Sequence, residues 1–343
     1  MSGRRSVFSN SQVLTASAAF IPVADEVFRL QGGDDPECLF FQAIAEQGHY
    51  RGGARGRSTR QGIYAFAPSG QLLASVNTLN AGAVTKMLQE AQEKWDQLPA
   101  AQRGLAPEQR SMEGRHRWEW QRPKDGLVLQ TTSRDLPRSQ SAPVNPRPGA
   151  WNRDYAWFTR DEARSLVPDD PHTGSQCSWP RPLVERLVRF HLVDNVRGQS
   201  QAFDATDIVH AALQSTVTRR QGSKVHVRVT GQTHAVGTRE WRDHASPDRA
   251  RPRRERGFVS DLLGYAVYDV EQRRFVHFDV VAVGTRWGAT QFNGRRNDTD
   301  AAPIGVTLRL SKRDFVAPAF FQLYGWPGSQ HPGVVPLEPT AQR

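Results

Sequence analysis

Between residues 208 and 310 the chain offers one β-type run after another, and this constrains the fold more than any other feature. The runs cover 208–217, 225–230, 235–241, 258–269, 275–284 and 304–310. Two of the connections are short and polar: Arg219-Arg220-Gln221-Gly222-Ser223, and residues 271–274. Strands joined so tightly must run antiparallel to their sequence neighbours, because a parallel pair needs a crossover of about a dozen residues or more. The expectation is an antiparallel meander. Just upstream, Pro182 opens a helix with Leu183, Leu187, Val188 and Phe190 on one face. That stripe is the natural cover for one side of the sheet, whether the sheet stays open or closes partly into a barrel.

The first third reads differently. Residues 13–19 suit a helix, and Phe20-Ile21-Pro22-Val23-Ala24 suits a short buried strand. Asp34-Asp35-Pro36 is a helix start, with a capping aspartate and a proline in the first turn. Cys38, Leu39, Phe41 (or Phe40), Ala43 and Ile44 follow at helical spacing, and Gly48 ends the run. Beyond a glycine and arginine loop at 49–58, Ile63, Tyr64 and Phe66 belong to a strand, Pro68-Ser69-Gly70 to a turn, and 72–76 to the returning strand. Asn80 caps a last helix in which Ala83, Val84, Met87, Leu88, Ala91 and Trp95 share a face. The predicted class is α+β. A first domain covers 1–98 and a linker 99–150, with one strand at 126–132 and a proline-rich tether from 136. A β-rich domain then covers 151–320 and a tail 321–343.

In this order of helix, strand, helix, hairpin and helix, residues 9–98 resemble the thioredoxin-like proteins of bacteria. The matching residues are Ser9-Asn10-Ser11-Gln12-Val13, then Phe20-Ile21-Pro22-Val23 and Asp25, then the hairpin at 62–76 and the helix at 80–95. The resemblance implies an incomplete thioredoxin-like domain. The family's first strand and its Cys-x-x-Cys would fall at or before Met1-Ser2-Gly3-Arg4, and its cis-proline falls where this chain has Thr59-Arg60-Gln61-Gly62. Dithiol exchange needs a thiolate at a helix N-terminus with a resolving thiol one turn away. The resemblance therefore implies the frame without the redox activity. A start upstream of Met1 would restore the strand, the dithiol and a signal peptide, and with them a periplasmic or secreted setting. The stretch 126–310 is similar to the C-terminal part of planctomycete proteins that share this first half, which adds architecture and no activity.

The net charge is +10, yet only five of the 45 basic residues are lysines: Lys86, Lys94, Lys124, Lys224 and Lys312. A GC-rich genome produces the same arginine skew. The excess is scattered along the chain instead of marking one periodic face, which argues against more than weak nucleic-acid binding. No run approaches the ~18 apolar residues that cross a bilayer, so membrane insertion is not expected. Cys38 and Cys177 are too few for a disulfide framework and lack zinc-ligand spacing. Free thiols fit a cytoplasmic setting.

The chemical candidates are scattered. Cys38 reads as a buried small hydrophobe on its helix, whereas Cys177, in what looks like a loop, is the candidate reactive thiol. His210, His226, His234, His244 and His277 share the β region, but no HxH, HxxxH or HExxH spacing organises a metal site. Arg251, Arg253, Arg254 and Arg256, in the arginine-rich stretch 239–257, are the candidate anion-binding group. Arg286, Trp287 and Asn293 follow a strand among glycines and are the candidate ligand site. No motif implies a cofactor. The function expected is that of a binding or scaffold protein with a protein or small-molecule partner. The alternatives are an enzyme with its site in the β-rich domain, or a basic nucleic-acid binder.

Overall fold

The computed structural model describes residues 7–8, 10–23, 27–49, 60–105, 123, 125–139, 151–240, 253–311 and 317–326. The chain divides into two compact units, Gly3–Glu113 and Gly114–Arg343.

In the first unit α1 is Ser11–Ser17, α2 Val27–Gly32 and α3 Pro36–Gln47. A hairpin, β1 (Ile63–Phe66) and β2 (Leu72–Val76), precedes the long α4 (Ala81–Gln97) and the short α5 (Ala100–Arg103). The expected caps are in place. Asp35 Oδ1 accepts from the Glu37 and Cys38 N–H groups at 2.9 and 3.0 Å, and Asn80 Oδ1 accepts from Ala83 N–H at 2.9 Å. Val84, Met87, Leu88 and Ala91 of α4 pack on Ala65, Leu73 and Ala74 of the hairpin and on Val13 of α1. Two expectations need correcting. The strand expected at 20–24 does not form: Ile21 and Val23 are 90% and 73% exposed and lie in no regular element, with Ala24 outside the described residues. The unit also runs past residue 98, because Arg103 donates to the Leu98 and Asp96 carbonyls and stacks on Trp95.

The second unit is an open, antiparallel eight-stranded sheet with the order β4-β3-β10-β9-β8-β7-β6-β5. Its strands are β3 (Leu127–Asp135), β4 (Trp151–Phe158), β5 (Gln176–Ser178), β6 (Ile208–Gln221), β7 (Lys224–Glu240), β8 (Arg253–Asp269), β9 (Arg274–Gly288) and β10 (Ala302–Leu310). The β6-to-β10 meander is the one expected. The strand expected inside a linker is instead an interior strand, with β3 pairing to both β10 and β4. The runs at 225–230 and 235–241 are one strand. Gly231 between them looks like a break, but a Cβ there would stand 2.4 Å from the Ala212 carbonyl oxygen of β6, so the glycine serves close strand approach and not a turn.

One face of the sheet is covered. The helix α7 (Arg181–Phe190) packs on β6 and β7, and its Leu183, Val184, Leu187 and Val188 join Leu213, Val227, Phe258, Leu262, Val280 and Val306 in one buried core. A short α6 (Arg160–Arg164), with a full Thr159/Glu162 capping box, joins β4 to this layer.

The tail expected from 321 is partly structural. Phe321, fully buried, packs edge-on against Trp157 at 5.2 Å, and Tyr324 stacks on Phe190 of α7 at 5.8 Å. These residues wrap the free edge of β4. The Trp157 N–H donates to Tyr324 Oη at 3.4 Å, and its carbonyl accepts from Arg186 at 3.2 Å. Arg186 itself is held by Glu162 through two bonds of 2.7 and 2.8 Å and lies over the rings of Phe158, Tyr324 and Trp326. No helix among the described residues is long and apolar enough to cross a membrane.

Candidate functional site

Arg286 and Trp287, neighbours in sequence, cannot line one pocket, because successive strand residues point to opposite faces. Arg286, 1% exposed, turns to the covered face and enters a network of ion pairs. Arg295, fully buried, is its hub. Its Nε donates to Asp194 Oδ2 at 2.7 Å, its Nη1 to Asp135 Oδ2 and Asp298 Oδ2 at 3.1 Å each, and its Nη2 to Asp194 Oδ1 at 3.0 Å and to Asp135 Oδ1. All five guanidinium N–H groups are thereby used. Arg286 donates to the Asp298 and Asp300 carbonyls and to the Asp298 carboxylate, while Arg197 bridges Asp135 and Asp298 at 2.9 Å each.

The electrostatics follow. Burial opposes ionisation of Asp298, but the Arg138 hydrogen bond and the charges of Arg286 and Arg197 outweigh it and hold the carboxyl at about 2. Asp135 is lowered in the same way, against its burial, by Arg295 and Arg197. Burial and repulsion from Arg295 push Arg286 down, whereas carboxylate bonding raises Arg295 in spite of burial. Asn293, also buried, accepts from the Thr290 and Arg295 N–H groups and shapes the loop that carries Arg295. This assembly pins the 289–301 loop to the end of β3. Arg286 and Asn293 serve that loop, so the expected ligand trio is not brought together.

The other candidates separate too. Arg251 lies outside the described residues. Arg253 and Arg254 are exposed on β8. Arg256 is buried, lies 4.1 Å over the Phe203 ring and donates to the Ala202 carbonyl at 2.8 Å. Burial and repulsion from Arg239 lower its pKa to about 10. Cys177 sits on the edge strand β5 instead of a loop, and burial pushes its thiol up, the direction that makes thiolate scarcer. Cys38 is fully buried on α3. Among the described residues no cluster of three histidines, cysteines or carboxylates is poised for a metal ion.

Trp287 points the other way, onto the face that α7 does not cover. Its ring lies over Gly257 on the paired strand, where a Cβ would approach it to 2.0 Å, and its Nε1 donates to Glu255 at 3.0 Å. From Trp287 this outer face extends as rows running across β7, β8, β9 and β10: His234–Val259–Thr285–Pro303, Gln232–Asp261–Val283–Gly305, Thr230–Leu263–Val281–Thr307 and Arg228–Tyr265–Asp279–Arg309. Val259, Leu263, Tyr265, Val281 and Val283 are 38–57% exposed there. The solvated face of an antiparallel sheet normally alternates to polar residues; here Val259, Leu263, Val281 and Val283 are exposed together, beside a Gln232–Asp261 hydrogen bond of 2.8 Å. From strand spacing and rise the four rows together, polar positions included, span about 14 by about 20 Å, and an exposed apolar cluster within such a face is often functional. Charge gathers in the Arg228 row, where Arg309 pairs with Asp279 at 3.3 Å. Sequence reading registered the strands but not this face, because the pattern shows only once four registers are laid side by side.

Compared with protein-family models, curated proteins and solved structures, the chain gives no match, so the geometry alone carries the functional reading.

Proposed function

We propose that the protein is a non-catalytic interaction module that holds a protein partner flat against the outer face of β7–β10. The observation that carries this is the cluster of Val259, Leu263, Val281 and Val283, exposed on strands whose opposite side already lies in the buried core. The side chains in its middle are short and β-branched, which suits a partner presenting a flat apolar helix or sheet surface. Arg228, exposed at the rim with no ion-pair partner among the described residues, favours a partner that carries a carboxylate beside that surface. The groups best suited to chemistry are already engaged, Arg286 and Asp194 in the ion-pair network and Asn293 by Thr290, Arg295 and Ser200, which supports binding over catalysis. For the first unit, the order from α3 through the hairpin to α4 supports a thioredoxin-like frame without redox function, since Cys38 and Cys177 fall one in each unit.

A photo-cross-linking amino acid at position 263 or 283, in cells making the full chain, tests the reading. The expected result is one discrete protein adduct at both positions, absent from a control at exposed Gln272 and lost from position 283 when Leu263→Asp is added. Adducts no stronger than the control, or cross-links confined to the chain itself, would sink it.

A further inference from the structure

The end of the sheet remote from Arg295 is built from two neighbouring hairpin turns. β6 hands over to β7 at Gly222 and Ser223, and β8 to β9 at residues 270–273; the Val270 N–H donates to the Ser223 carbonyl at 2.9 Å and locks the turns side by side. Asp269, 3% exposed, accepts from the Glu271 and Gln272 N–H groups at 3.0 Å each, and Arg273 adopts the left-handed region with φ 53°. Residues 169–171, after α6, close the third side. Between them lies a cleft of about 360 Å³, with Arg164, Arg220 and Arg273 around Tyr268 and Val270.

Tyr268 is the informative residue. It is 1% exposed, its ring meets Phe275 edge-on at 5.1 Å, and its hydroxyl has no hydrogen-bond partner among the described residues. Buried polar groups without a partner are rare and call for a reason. Burial raises its pKa, against an opposing pull from Arg164 and Arg273, so these guanidiniums lie within electrostatic reach of the phenol. Arg164 is fixed by bonds to the Val167 and Pro168 carbonyls at 2.7 and 3.2 Å. Arg220 reaches only the Gly222 carbonyl, at 3.5 Å, and Arg273 has no partner among the described residues. Of the two lining carboxylates, Asp169 pairs with Arg164 at 3.3 Å from an exposed position and Asp170 lies 3.6 Å from His172, so neither pairs with Arg220 or Arg273 among the described residues. Asp169 answers Arg164 alone, and Arg220 and Arg273 bring to the cleft guanidiniums with no carboxylate partner among the described residues.

We propose that this cleft binds a small phosphate monoester, with the Tyr268 hydroxyl donating to one phosphate oxygen, Arg220 and Arg273 engaging the others, and Arg164 forming a fixed wall. A tetrahedral dianion presents acceptors in every direction these donors approach from, whereas a planar carboxylate serves only two. The cleft is within the size range of small-molecule sites and exceeds a phosphate group, leaving room for the ester's carbon skeleton. The site is independent of the outer face of β7–β10.

Calorimetric titration of the full chain at low ionic strength, with inorganic phosphate, glycerol 2-phosphate and acetate, tests it. The expected order is glycerol 2-phosphate over inorganic phosphate, with no heat from acetate. Arg220→Gln and Arg273→Gln, both at exposed positions and checked by circular dichroism, should each weaken binding by about tenfold or more. Tyr268→Phe should weaken it too, yet in phosphate-free buffer it should melt at or above the wild-type temperature, because it deletes a buried hydroxyl with no partner. A lower melting temperature would show that the fold itself uses the hydroxyl and overturn the proposal. So would the absence of heat from either phosphate, unchanged binding in the arginine variants, or binding confined to an oligonucleotide.

Discussion

The two ends of β9 are both rich in arginine and use it in opposite ways. Where the strand finishes, Arg286 and Arg295 are buried, and Arg295 has every N–H on a carboxylate oxygen. Where it begins, Arg273 and Arg220 are exposed and line a cleft with a phenol whose hydroxyl has no partner among the described residues. Composition cannot tell these ends apart; the supply of carboxylates does. Asp135, Asp194 and Asp298 come from β3 and two loops to neutralise one cluster, whereas near the other Asp169 pairs with Arg164 alone and Asp269 is spent on shaping the turn. A neutralised cluster is scaffold, and one left in surplus is free to bind.

The largest test of that contrast removes the hub. Arg295→Ala leaves three buried or half-buried aspartates short of a cation and should cost about 3–5 kcal/mol, read by urea unfolding followed by tryptophan fluorescence. A loss below about 1 kcal/mol would mean the cluster is not structural. Phe321→Ala, deleting a fully buried ring against Trp157, should cost about 3 kcal/mol and speed proteolysis within residues 317–326. Acid comes next. The carboxyls of Asp135 and Asp298 ionise more readily in the fold than their usual 3.8, so the stability they add is present above that value and fades as pH falls toward about 2. Asp298→Asn should flatten the acid limb of a stability-against-pH curve; an unchanged slope would assign acid sensitivity elsewhere. The smallest effect belongs to the outer face. Val283→Thr should alter unfolding by no more than about 0.5 kcal/mol, and a larger loss would show that this face is part of the core.

Much of the architecture was legible from local signals. Asp35-Pro36, Asn80, the Pro68-Ser69-Gly70 turn and the meander from β6 to β10 are each announced by neighbours in sequence. What was not legible depends on distant segments. β4 has no alternating pattern because it is buried on both sides: Ala156 and Phe158 face the helix layer, while Tyr155 and Trp157 lie under Phe321. Phe20-Ile21-Pro22-Val23 has a strand's composition, but among the described residues it has no strand beside it. The candidate site failed for a geometric reason, since Arg286 and Trp287 were joined by adjacency and parted by the pleat. The Tyr268 cleft was hidden in two turns that read only as polar connections.

The wrapping of β4 by residues 317–326 bears on what the borders of this sheet can recruit. A sheet has two borders, and each is a template onto which another extended chain can add. At one border β5 is only three residues long, too short to recruit a strand. At the other, the eight residues of β4 would be an inviting template were Tyr324 and Arg186 not occupying the main-chain groups of Trp157 and Phe321 not roofing its outer side. Losing that short aromatic segment would turn a self-contained sheet into a seed for lateral aggregation.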